Sequence, residues 1–212
     1  MEKVEQILLF LDKLFPNAKC ELNYSKDYEL LIAVMLSAQS TDKAVNKVTS
    51  VLFNAYSTLE ELNEAEEKNI QNIIHSVGLS KTKAKNIKLI ARDLIQRFHS
   101  KVPSSREDLM SLSGVGRKSA NVVRIEFFKI PEIPVDTHVE RVSKRLTLVQ
   151  EADSVLNVEL KLRKLIPEDK LIKIHHQLIF FGRYICKSQN PICTECPFKL
   201  FCTYHKRLSL KR

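Results

Sequence analysis

Apolar residues recur at three- and four-residue intervals from one end of this chain to the other, and that habit confines it to helices. Val4, Ile7, Leu8, Leu11 and Leu14 stripe a first helix. Asp27 stands where it can cap a second, whose run Leu30–Leu36 is apolar on every side and so belongs in a core. Thr41 can cap a third, with Val45, Val48, Leu52 and Ala55 on one face. Thr58-Leu-Glu-Glu61 and Asn63-Glu-Ala-Glu66 have the form of capping boxes, the second leading through Ile70, Ile73, Ile74 and Val77 to a stop at Gly78. Ala84, Ile87, Ile90, Ala91, Leu94, Ile95 and Phe98 line the next helix. Ser104-Ser-Arg-Glu107 opens a short one ending near Leu112, and another follows Gly116 to about Phe128. Asp136, Asp153 and Glu168 mark three later starts, the last leading to Leu171, Ile174, Leu178 and Ile179. Four glycines and seven prolines in 212 residues are too few turn formers for a many-stranded β fold. Pro131 and Pro134 bracket the one clear linker. The expected architecture is all-α: two helical lobes with a hinge near Pro131–Pro134.

A hydrophobic share of 44% against 28% charged residues is that of a globular chain, not a disordered one. The longest apolar run, seven residues, is far short of the roughly 20 that a bilayer needs. Glu2 and Glu5 flank Lys3, and the run Ile7–Leu11 is too short for a signal peptide. A cytoplasmic location is therefore expected, nucleoid-associated in a bacterium. Thiols stay reduced there, so the five cysteines are not a disulfide framework. Basic residues exceed acidic ones by 34 to 25, a net charge of +9, which points to a polyanionic partner.

The sharpest local signal is Leu112-Ser-Gly-Val-Gly116 followed by Arg117-Lys118, with two of the four glycines within three residues. Gly-x-Gly between two helices lets the backbone approach a ligand closely, and the next helix start offers free N–H groups to a phosphate. Gly114, Gly116 and Arg117 thus read as a helix-hairpin-helix that holds a DNA backbone without reading bases. The plainer alternative is a tight turn between packed helices. Lys118 has two readings. It is either a phosphate-contacting lysine or a nucleophile, its neutral amine forming a Schiff base with a sugar aldehyde carbon; nearby positive charge favours that neutral form. Asp136, in Pro134-Val-Asp-Thr-His138, is placed to cap a helix, where backbone N–H groups keep a carboxylate ionised. Phosphates repel such a charge, so it makes sense opposite a developing cation.

The tail reads Cys186-x6-Cys193-x2-Cys196-x5-Cys202, four thiols in 17 residues. In a reducing compartment that density implies a metal. Only one C-x2-C knuckle is present where a four-cysteine zinc site usually has two, and the ferredoxin spacing C-x2-C-x2-C is absent. Cys20 lies outside the cluster and is given no role.

The hairpin with Lys118, the segment Val135-Asp136-Thr137-His138 and the cysteine tail, in this order and at these separations, resemble the endonuclease III family of base excision repair. The resemblance runs from Leu36-Ser-Ala-Gln-Ser-Thr-Asp42 to Cys202. It implies a six-helix lobe over 21–130, with the hairpin at about 105–125. A second lobe comprises 1–20 and 131–212, with an iron–sulfur loop at 186–202 and DNA bound between the lobes. It implies a DNA glycosylase that releases oxidised pyrimidines and an AP lyase that cleaves the abasic strand by β-elimination. Lys118 then matches the Schiff-base lysine and Asp136 the catalytic aspartate. Cys186, Cys193, Cys196 and Cys202 match the ligands of a [4Fe–4S] cluster, which would position the basic tail Lys199, Lys206, Arg207, Lys211 and Arg212 near DNA. Gln39 matches a residue that fills the gap left by an extruded nucleotide, and Leu79 a wedge on the other side; their residue types alone suggest a helix-end polar contact and a C-cap apolar contact. The implied partner is duplex DNA with a damaged base or abasic site, met by a monomer and without a membrane.

Two stretches depart from the family pattern. Ser113 stands where many relatives have proline, which is expected to loosen the hairpin slightly. Arg124-Ile-Glu-Phe-Phe128 replaces a stretch of small residues, which bears on packing behind the hairpin. An adenine-mismatch glycosylase is the nearest rival, but Lys118 is present and Ser37-Ala-Gln39 occupies the region where that enzyme carries a catalytic glutamate. A non-catalytic DNA-binding module with structural zinc is the other.

Overall fold

The computed structural model describes residues 3–209, and every regular element among them is helical. The chain divides into two compact units, one of residues 1–20 with 130–212 and one of 21–129.

The unit of 21–129 is built on α2 (Asp27–Leu36), buried at every position from Tyr28 to Leu36. An all-apolar helix can only sit inside, and α3 (Asp42–Ala55), α6 (Ser80–Phe98) and α8 (Arg117–Glu126) pack against it. α4 (Leu59–Glu64), α5 (Glu67–Ile73) and α7 (Arg106–Met110) complete seven helical segments, one more than the six the resemblance implies. The extra one arises where the backbone extends at Ala65 and Glu66, splitting α4 from α5.

Local signals were partly displaced by distant ones. Thr41 and Thr58 cap α3 and α4 as expected. Asp27, however, is the first residue of α2 rather than its cap. Its carboxylate accepts from the distant Val102 N–H at 2.9 Å, while Glu29 reaches back to the N–H groups of Ser25 (2.7 Å) and Lys26 (3.2 Å). Asn63 lies inside α4, so α5 starts later, at Glu67, and ends at Ile73 well before Gly78. Ser105, not Ser104, caps α7, and Ser154, not Asp153, caps α10.

The other unit gathers α1 (Lys3–Leu14), α9 (Thr137–Arg145), α10 (Val155–Leu165), a 3-10 turn (Glu168–Lys170), α11 (Leu171–Tyr184) and α12 (Thr203–Ser209). Its core joins Ile7, Leu8 and Leu11 of α1 to Val139, Val142, Leu178 and Phe181. Phe198, from the cysteine-rich tail, is fully buried there, edge-on to Phe181 and Phe10 at centroid distances of 5.0 and 5.9 Å. Residues 132–135, running from just after Pro131 to just past Pro134, are buried, and Glu132 pairs with Arg163 at 3.1 Å. That stretch is therefore packed, and the division between units falls just ahead of it.

Candidate functional site

Helix α7, the turn through Gly114 and Gly116, and α8 make the hairpin. Its two glycines are there for different reasons. Gly114 sits at φ +76°, and a Cβ added to it would run into the Asn86 carboxamide and come within 3.3 Å of Met35 Cγ. Gly116 has an ordinary backbone, and a Cβ there would meet nothing within 4 Å, so its missing side chain leaves room outside the protein. Gly116 caps α8 without a side-chain bond, leaving the first-turn N–H groups available to an anion. Lys118 lies exposed in that first turn, beside Arg117. Ser113 does not leave the turn slack: its hydroxyl donates to Asn86 Oδ1 at 2.9 Å. Behind the hairpin, Arg124 donates to the Ser104 carbonyl, Glu126 is buried, and Phe127 and Phe128 pack edge-on at 5.2 Å.

Gln39 and Leu79 are both exposed, on adjacent loops of the same unit, and both adopt left-handed backbone at φ 58° and 60°. For residues with a Cβ this costs about 1–2 kcal/mol each. Leu79 is 61% exposed, so little burial offsets the strain. Gly78 brings the loops together, a Cβ there lying 3.8 Å from the Gln39 carbonyl.

Asp136 caps α9. Its Oδ1 accepts from the N–H groups of His138 (2.9 Å) and Val139 (2.8 Å), and its Oδ2 lies 3.2 Å from His138 Nδ1. Burial pushes this carboxyl up, but the His138 side chain, the Val139 N–H and the pull of the His138 and His175 rings outweigh it. The result lies far below the ordinary carboxylate range. Gly182 makes this arrangement possible: a Cβ there would come within 2.8 Å of His138 Cβ and 3.2 Å of an Arg141 guanidinium nitrogen. Sequence reasoning passed over Gly182, although a glycine inside a helix is itself a signal.

The same helix grips the cysteine tail. Arg141 donates to the carbonyls of Cys186 (3.1 Å) and Gly182 (2.9 Å). Arg145 lies over the Tyr204 ring at 3.8 Å and places Nη1 3.4 Å from Cys186 Sγ. Cys186, Cys193, Cys196 and Cys202, none in a disulfide, line one small pocket walled by Leu146, Phe181, Ile185 and Ile192. Among the described residues no three His, Cys, Asp or Glu side chains gather around a point that could hold a single metal ion. Burial pushes the Cys196 thiol up to about 11, and the three neighbouring sulfurs add to the shift. A thiol raised in this way ionises more readily when a cation compensates it. The Arg145 guanidinium near Cys186 and the His205 N–H, 3.4 Å from Cys202 Sγ, are ready to offset sulfur charge. Of the basic tail, Lys199, Lys206 and Arg207 are exposed, while Lys211 and Arg212 lie outside the described residues.

An all-helical chain whose hairpin turns a bare glycine and a lysine to solvent falls in the class of helix-hairpin-helix DNA-repair glycosylases. Residues 32–168 match the profile of the HhH-GPD superfamily base excision DNA repair protein. Endonuclease III of Bacillus subtilis (strain 168) is 47% identical over 205 residues, covering 95% of this chain and 94% of that protein. Endonuclease III of Escherichia coli (strain K12) is 40% identical, covering 97% of each. A solved structure of a trapped endonuclease III–DNA covalent intermediate aligns at a TM-score of 0.93 and 47% identity, over 99% of this chain and 100% of its own. The chain belongs to this superfamily and, within it, to the endonuclease III family of DNA glycosylase/AP lyases. Neither the adenine-mismatch enzyme nor a non-catalytic zinc module is favoured beside matches of this length.

Proposed function

We propose that this enzyme releases oxidised pyrimidines from duplex DNA and nicks the resulting abasic strand through a Schiff base on Lys118. The observation that carries the reading is an exposed lysine in the first turn of α8, next to a glycine whose side-chain space is empty. Gly114, Gly116 and Arg117 hold the backbone phosphate, and Lys118 Nζ is the amine presented to the sugar. It attacks C1′ as the C1′–base bond breaks and the base leaves with a proton. The nitrogen lone pair then opens the C1′–O4′ bond, O4′ taking a proton from solvent, to leave a protonated imine. Asp136, held ionised by its two N–H donors and His138, stabilises the cationic sugar. The imine then acidifies C2′; loss of that proton breaks the C3′–O3′ bond, and hydrolysis of the imine frees Lys118. Gln39 fills the space of the extruded nucleotide and Leu79 wedges beside it, which offsets lost stacking. The covalent complex formed by a 47%-identical relative supports this chemistry.

Cys186, Cys193, Cys196 and Cys202 would hold a [4Fe–4S] cluster. Four soft thiols lining one small pocket, with apolar walls that exclude water, suit an iron–sulfur group. Bound there, it supplies structural cross-linking, tying 186–202 together and setting out Lys199, Lys206 and Arg207 for phosphate contacts. The functional lobes are 21–130 and 1–20 with 131–212, and the enzyme acts as a cytoplasmic monomer on damaged or abasic duplex DNA. No helix among the described residues is long and apolar enough to cross a membrane.

Borohydride trapping tests the central step. It reduces the imine to a stable protein–DNA adduct, and Lys118→Gln should abolish adduct and nicking while duplex affinity stays within about threefold. Trapping by that variant at the wild-type rate would assign the nucleophile to another amine.

A further inference from the structure

Lys83 is a lysine in the wrong place for a surface charge. It lies one turn into α6, is only 4% exposed, and points its ammonium into the end of another helix. Nζ donates to the carbonyls of Leu36 (2.9 Å) and Ala38 (2.7 Å), with the Ser40 hydroxyl at 3.4 Å. Burial disfavours the charged amine and lowers its pKa. Helix C-terminal carbonyls that lack partners are the compensation, since they carry the negative end of the helix dipole. These three oxygens bracket Gln39 in sequence.

The other end of the connection is Leu79. Lys83 N–H closes the first turn of α6 onto the Leu79 carbonyl at 3.0 Å, so the residue that holds the Gln39 loop also fixes the Leu79 turn. Three residues further along the same face, Asn86 braces the hairpin through Ser113. A left-handed residue such as Gln39 persists only when its surroundings over-determine it, and Lys83 supplies that restraint.

We propose that Lys83 is a positioning residue that locks the Gln39 loop to the Leu79 turn, so that the two side chains enter DNA as one rigid pair. This rests on the reading of Gln39 and Leu79 as the residues that open the stack. Without the clamp the loop relaxes out of its left-handed conformation, and insertion must first restore it.

The test compares Lys83→Met, Gln39→Ala and the double variant in the full-length protein. Amides of residues 37–41 in Lys83→Met should exchange with deuterium about tenfold or more faster, with α3 and α8 unchanged. Single-turnover excision from lesion-bearing duplex should slow about tenfold relative to cleavage of single-stranded abasic DNA, which has no stack to open. The double variant should be slower than Gln39→Ala by clearly less than the Lys83→Met factor alone, because much of the clamp's effect passes through that side chain. Unchanged exchange at 37–41, or losses that multiply in the double variant, overturns the proposal and leaves Gln39 its role. Equal losses of Gln39→Ala on duplex and single strand overturn that role, and the proposal with it. If Lys83→Met does not accumulate as folded protein, Lys83→Gln carries the same exchange and rate comparison.

Discussion

The two hairpin glycines make opposite demands, and exchanging each for alanine separates fold from function. At Gly114 an alanine must adopt φ +76°, which costs about 1–2 kcal/mol. Its methyl also overlaps the Asn86 carboxamide, which must swing away and surrender the Ser113 hydrogen bond, about another 1 kcal/mol. Contact at 3.3 Å with Met35 Cγ adds to this, so Gly114→Ala should lose about 2–4 kcal/mol. For a chain of this size that corresponds to a fall in Tm of about 5–12 °C. At Gly116, with an ordinary φ of −91° and nothing within 4 Å of the new methyl, stability should change by less than about 1 kcal/mol. Yet that methyl occupies the space a phosphate needs to reach the α8 N–H groups, so duplex affinity should drop about tenfold or more. Thermal unfolding by far-UV circular dichroism, with fluorescence anisotropy on an undamaged duplex at fixed salt, reads both quantities. Gly116→Ala protein that binds DNA as tightly as wild type would refute the assignment of the hairpin to the backbone.

Asp136→Asn should still fold, since asparagine keeps the cap, though with lower stability above about pH 4, and should slow base excision by orders of magnitude. Because Asp136 titrates below the ordinary 3.8, its ionisation adds stability above about pH 4 that is lost as pH falls further. The acid limb of the kcat/KM profile should therefore keep its midpoint in the asparagine variant, and a limb above pH 4 that vanished there would contradict the depressed value. Cys196→Ser should yield colourless protein without iron or sulfide; full activity with zinc in its place would remove the cluster assignment. Affinity for undamaged duplex should fall with salt at a slope of roughly −0.9 per phosphate contacted, and a salt-independent affinity would argue against a charge-held complex.

What the sequence revealed were features whose cause is local. The all-apolar run of α2 admits only a core helix, and Asp136 precedes an apolar stripe, which is what a cap looks like. Asp27 looks the same but answers to Val102, 75 residues away, a partner that no local pattern contains. Gly78 resembles a helix stop, although α5 has already ended at Ile73. Gln39 and Leu79 came from family resemblance alone, because left-handed backbone at a glutamine or leucine leaves no trace in residue type. Lys83 and Arg141 were invisible for a related reason: they bind backbone carbonyls, and carbonyls are present at every position.

The placement of α1 in the same unit as residues 130–212 has a consequence for how the chain is made. Residues 21–129 form a continuous unit and can fold as soon as they leave the ribosome. The first helix emerges earlier still, but Ile7, Leu8 and Leu11 must wait for α11 to cover them. Phe198, which closes the same core, is made later than α11. The unit that starts ahead of residues 21–129 is thus completed after them, and an unclaimed apolar face rides on the nascent chain until α11 is made.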